Sequence, residues 1–135
     1  MQPVQGKEKV LEKELDLLAG AEHIIVMTGA LYLPSELEAI VPLLYRSVER
    51  GVTLVVVSRA RVVVAGRTLD IKEALLEIPG KKRFEEAEPG IKKILVDGKS
   101  GMVAYADKDD SGILPGSVEA VFTTNRVFLE GFNPR

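Results

Sequence analysis

The sequence has no cysteine, a lone histidine and no long apolar run, and each absence closes off a class of function. With no Cys among 135 residues, disulfides, thiol nucleophiles and cysteine-ligated zinc are excluded together. His23 is the single imidazole, so no cage of several histidines can hold a metal. No apolar stretch approaches the roughly 20 residues that a membrane-spanning helix needs. The opening Met-Gln-Pro-Val-Gln-Gly lacks the hydrophobic region of a signal peptide. Glycine-rich phosphate loops, nucleophile triads and dinucleotide fingerprints are missing too, as are internal repeats. Charge is close to balanced: 18 Lys and Arg against 20 Asp and Glu give a net charge of −2, which argues against non-specific nucleic-acid binding as the main role. What is present, 46% hydrophobic and 28% charged residues, suffices for one folded core and is incompatible with disorder. The expectation is a single cytoplasmic domain over residues 1–135, with no cofactor and no membrane association.

Periodicity supplies the elements. Val10, Leu11, Leu15 and Leu18 recur at helical spacing over residues 7–20, with Lys7, Glu8, Lys9, Glu12, Lys13, Glu14 and Asp16 mostly on the other face. The short apolar run His23–Met27 reads as a buried strand. A second helix is expected from a capping box of Ser35 and Glu38, with Leu37, Ile40, Val41, Leu44 and Val48 inward and Gly51 closing it. Pro42 should kink this helix or mark its first turn. Residues 52–58 are continuous and β-branched, a clear strand, and 62–64 form a short one. Asp70 and Glu73 open a short helix that Pro79-Gly80 ends. Strands follow near 81–87, 91–97, 101–106 and 118–124, then a short helix over about 125–132. This order predicts an α/β layered fold with a mixed β-sheet flanked by helices.

The segment Gly90-Ile91-Lys92-Lys93-Ile94-Leu95-Val96-Asp97-Gly98 carries the chemistry. A Lys, four residues and Asp-Gly at the end of an apolar strand resemble the HxKxxxxD-G signature of the phospholipase D superfamily. The resemblance implies that Lys92 would hold a phosphate oxygen and that Asp97 would close the turn and support the site. Gly90 stands at the position of the nucleophilic His, so the resemblance implies a protein without catalytic activity. Thr123-Thr124-Asn125 lies where that superfamily carries its Gly-Ser-x-Asn element. The wider element order, with Glu49-Arg50-Gly51-Val52 entering a strand, is similar to the phospholipase-D-like regulatory domain of TrmB-family transcriptional regulators.

That resemblance implies an effector-binding and dimerisation module. Its effector would be a sugar or a phosphorylated metabolite, and DNA would be reached only through a winged-helix domain absent from this chain. The ligand residues are expected to be Lys92, Asp97 and Asn125, converging from two copies of a homodimer on one cleft. Arg59, after the strand over 52–58, and Thr28, after the first strand, join them on separate grounds. Both stand at carboxyl ends of strands, where open α/β sheets bind ligands. The competing readings are a phosphodiesterase or nuclease of the same superfamily and a scaffold without ligand. Lys81-Lys82-Arg83 with Glu85, Glu86 and Glu88 reads as a solvated strand edge. Asp107, Asp109, Ser111 and Gly112 resemble half of a calcium loop, but position 118, where the closing carboxylate belongs, is Val. A hairpin turn is the better reading.

Overall fold

The computed structural model describes residues 3–130. In chain order they form β1 (Pro3–Gln5), α1 (Lys7–Ala19), β2 (Ile24–Gly29), α2 (Pro34–Glu49), β3 (Thr53–Ser58), β4 (Arg61–Val64), β5 (Arg67–Asp70), α3 (Ile71–Leu75), β6 (Lys81–Phe84), β7 (Ile91–Val96), β8 (Ser100–Tyr105), β9 (Lys108–Asp109), β10 (Gly112–Ile113), a 3-10 turn (Pro115–Ser117), β11 (Glu119–Thr123) and α4 (Arg126–Glu130). Seven strands make one mixed sheet in the order β1-β11-β8-β7-β2-β3-β6. Pairing is antiparallel from β1 through to β2, then parallel from β2 to β3 and from β3 to β6. A four-stranded sheet, β5-β4-β10-β9, forms separately.

Alternation along the strands gives the large sheet two unlike faces. Ile25, Met27, Leu54, Val56, Ile94, Met102 and Ala120 point to the inner face, where α1 and α2 contribute Val10, Leu18, Ile40 and Leu44 to one continuous core. On the outer face, Leu95 packs on Leu129 of α4, with Val26 and Val103 beside it. Only Arg59 and Ala60 separate β3 from β4, so the small sheet sits at the carboxyl end of β3.

The expected α/β layering with a mixed sheet is what forms. The leading helix matches its expected bounds, and Asp70 caps α3 by accepting a hydrogen bond from the Glu73 N–H at 2.9 Å. The start of α2 differs from expectation. It begins at Pro34, and the carboxylate that reaches back is Glu36, which accepts from the Leu33 N–H at 3.0 Å; Ser35 and Glu38 do not form the box. Pro suits the first helical position because its missing N–H would be unpaired there. Pro42 is internal to an unbroken α2. The strand expected over 81–87 stops at Phe84, and β1, β5 and the pairing of β10 with β4 were not foreseen. The end of the helix expected over 125–132 lies partly outside the described residues.

Candidate functional site

Lys92 is the most deeply buried charge in the sheet, at 1% exposure. It lies on the inner face because Ile94 and Val96, two and four residues on, do so as well. Its ammonium donates to both oxygens of Glu14 on α1, at 3.1 and 3.3 Å, and to Glu36 at the start of α2. The Tyr32 ring lies under it, 4.4 Å from centroid to Nζ, a cation–π contact. Burial pulls the Lys92 pKa below its ordinary value, while the Glu14 carboxylate opposes the shift. Burial pushes the Tyr32 phenol upward, and the Glu14 charge adds to that. Three segments distant in sequence thus meet on one ammonium.

This cluster is closed. The cavity beside it holds about 20 Å³, between Lys7, Leu11, Glu14, Ser35, Glu36 and Lys92, which is room for about one water molecule. A sugar or a phosphate ester cannot reach Lys92 through a space of that size. The position before the strand is closed as well. Gly90 has φ +93°, and a Cβ built there would stand 2.9 Å from the Ala106 carbonyl oxygen. A side chain at 90 would therefore meet both backbone strain and a backbone clash.

Asp97 stands at the other end of β7 and does something else. Its two carboxylate oxygens accept from the backbone N–H groups of Glu22, His23 and Ile24, each at 2.8 Å. Desolvation raises its pKa, but the three donors outweigh that and hold the carboxyl below the usual range. Its φ of +55° is one that Asp tolerates better than most residues. The carboxylate thereby fixes the entry of β2, and it also lends His23 its place at the strand end.

The five expected ligand residues do not converge within the chain. Lys92, Thr28 and Arg59 lie toward the carboxyl ends of β2 and β3, whereas Asp97 and Asn125 lie toward the opposite end of the sheet. Lys92 and Asp97 are five residues apart along an extended strand, on the order of 17 Å. Thr28 pairs with Lys93 and so takes the outer face, opposite to Lys92. Arg59 bonds Glu86 at 2.9 Å and the Ala87 carbonyl at 3.3 Å. Asn125 caps α4, its side-chain oxygen accepting from Val127 and Phe128 at 3.0 and 3.3 Å.

The residues that sequence reasoning missed are Glu14 and Glu36. Glu14, expected on the solvated face of α1, is 1% exposed. The signal was present: Val10, Glu14 and Leu18 are spaced by four, as are Glu36, Ile40 and Leu44, so each carboxylate occupies a core stripe. Asp109 settles the acidic loop as a hairpin turn, accepting from the Ser111 N–H at 2.8 Å and its hydroxyl at 2.6 Å. Among the described residues no group of three or more acidic or His side chains could hold a metal ion, and no helix is long and apolar enough to cross a membrane.

No protein-family model matches the chain, and no curated protein is similar to it. Its fold is similar to the solved structure of TrmBL2, an archaeal chromatin protein described as showing a novel mode of DNA binding. The two superpose with a TM-score of 0.59 at 13% identity, over 97% of this chain and 48% of TrmBL2. The chain therefore spans about half the length of that neighbour.

Proposed function

We propose that this chain is the non-catalytic, phospholipase-D-like regulatory module of a TrmB-type transcriptional regulator, binding a small effector and pairing with a second copy. The observation that carries the reading is the closure of the Lys92 site. The lysine that would hold a phosphate oxygen is saturated by two carboxylates, and the nucleophile position is a glycine whose backbone rejects a side chain. Similarity of fold to TrmBL2 over nearly the whole chain supports the regulator context. DNA contact would come from another part of the full regulator.

An effector on this reading takes the groove between α2 and α3 rather than the Lys92 cluster. That groove offers about 600 Å³ and is lined by Val41, Tyr45, Arg46, Glu73, Leu76 and Glu77, within the range of small-molecule sites. An aromatic face with one cation and two carboxylates suits a polyhydroxylated ligand, whose hydroxyls can donate to the carboxylates, better than a phosphorylated one. Thermal-shift screening of sugars and sugar phosphates tests this, with a stabilising hit expected to vanish in Tyr45→Ala. Repurified protein is expected to leave bis-p-nitrophenyl phosphate and single-stranded DNA intact; turnover that follows the folded fraction through a melt favours the phosphodiesterase reading. No ligand response together with a monomeric mass leaves only a scaffold.

A further inference from the structure

Opposite charges face one another across the α2–α3 groove without meeting. Arg46 stands on the α2 wall, Glu73 and Glu77 on the α3 wall. None of these three side chains makes a hydrogen bond or an ion pair among the described residues. By contrast, Arg59, Arg61 and Arg83 each meet a carboxylate, at 2.9, 3.3 and 3.0 Å. The lysines nearest the α3 wall are committed elsewhere. Lys72 lies over the Phe84 ring, 5.9 Å from its centroid. Lys82 donates to the Leu76 carbonyl at 3.4 Å and to the Ile78 carbonyl.

The two carboxylates act as one feature. Leu76 keeps helical dihedrals of −57° and −42° at the end of α3, so Glu73 and Glu77, four residues apart, share one side of this turn. Like charges at that spacing repel, and a cation placed between them relieves the repulsion. One cation against two carboxylates leaves the groove with a negative charge in excess. The wall that carries them is fixed at both ends, by the Asp70 cap on the Glu73 N–H and by Lys82 on the last carbonyls. Between the walls, Tyr45 is 45% and Leu76 61% exposed, an aromatic and an aliphatic surface for the body of a ligand. A phosphate would satisfy Arg46 but would meet Glu73 and Glu77 in the same space.

We infer that the effector of this groove is a polyhydroxylated amine, its ammonium between Glu73 and Glu77 and its hydroxyls toward Arg46. This rests on the effector-binding part of the function proposed above and deepens it. Hydrogen bonds from an ammonium to carboxylates are roughly twice as strong as those between neutral groups. Hydroxyl oxygens accept from the Arg46 guanidinium, which is a donor only. The same guanidinium repels the ammonium, and so sets which end of the ligand faces which wall. A neutral polyol keeps the contacts to Tyr45 and Arg46 and loses the strongest one.

Titration calorimetry of the whole chain, at a mildly acidic pH where the amine is protonated, tests the assignment. Glucosamine is compared with N-acetylglucosamine and glucose, which keep the hydroxyl-rich ring without the charge. Glucosamine is expected to bind about tenfold more tightly than either, by a margin that shrinks as salt is raised. Changing Glu73→Gln and Glu77→Gln together is expected to erase the margin and to leave the affinity of the two neutral sugars unchanged. Both side chains are exposed, and circular dichroism melts confirm that the variant is folded. Equal binding of all three sugars, abolished by Tyr45→Ala, overturns the amine assignment while the effector groove stands. A glucosamine margin that survives the double change overturns it as well. Binding by none of the three overturns the assignment, and together with a silent wider screen it overturns the effector reading too.

Discussion

The two ends of β7 carry two charged residues, Lys92 and Asp97, with opposite fates. Lys92 is buried and gives its charge to side chains, whereas Asp97 is half-exposed and gives its charge to backbone. The first ties two helices to the sheet; the second ties the start of one strand to the end of its neighbour. Here, what surrounds each end decides whether that charge is retained as core or as a cap. At the Lys92 end the surroundings are helices, so carboxylates enter. At the Asp97 end they are loop amides, so none is needed.

The comparison breaks most visibly at Lys92. Lys92→Ala strands Glu14 and Glu36 in the core without a counter-charge, and denaturant melts should show a loss of about 3–5 kcal/mol. A triple change of Lys92→Met, Glu14→Leu and Glu36→Gln should recover most of it, since the amide keeps an acceptor for the Leu33 N–H. Asp97→Ala removes three charge-assisted bonds from a half-exposed site, so the expected loss at neutral pH is smaller, about 2 kcal/mol.

That second deficit should also depend on pH, with a defined sign. The folded carboxyl titrates below its unfolded value of about 3.9, so its stabilisation is fully present above that pH. It is lost as pH falls through the lower folded value. Melts of wild type and Asp97→Ala should therefore differ at pH 7 and converge in strong acid. Asn125→Ala follows, costing about 1 kcal/mol of local stability in α4, best read by hydrogen exchange at Val127 and Phe128. The smallest effect is Arg59→Ala, under about 0.5 kcal/mol, because its partner Glu86 is 93% exposed and solvent screens the pair.

Much of the fold was legible in the sequence, for reasons that particular residues make plain. Helix α1, strand β3 and the Asp70 cap rest on local spacing and turn chemistry, which tertiary contacts left intact. Of the small sheet only β4 was legible, as the valine run over 62–64; its partners are two to four residues long and β10 joins β4 in parallel across a long stretch of chain. At the site, Lys92 and Asp97 were visible as a motif but their partners were not. Treating Glu14 as solvated followed the general preference of carboxylates, and only a lysine 78 residues away makes its burial tolerable. The expected Ser35–Glu38 box gave way to Glu36, whose spacing with Ile40 and Leu44 places it in the core stripe of α2 and whose carboxylate reaches back to the Leu33 N–H.

The ladder of three amides on Asp97 has a consequence for strand fidelity. β7 reads Ile-Lys-Lys-Ile-Leu-Val, with two adjacent lysines and three adjacent aliphatics. Shifted by one position it would still offer a lysine to Glu14 and an apolar side chain to each face. Its hydrophobic pattern therefore discriminates poorly between the native alignment and its nearest error. Asp97 does discriminate: a one-position slide carries its carboxylate about 3.3 Å along the strand, beyond reach of the amides of Glu22, His23 and Ile24 together. Asp97 thus acts as a proofreader for the strand at the sheet's centre.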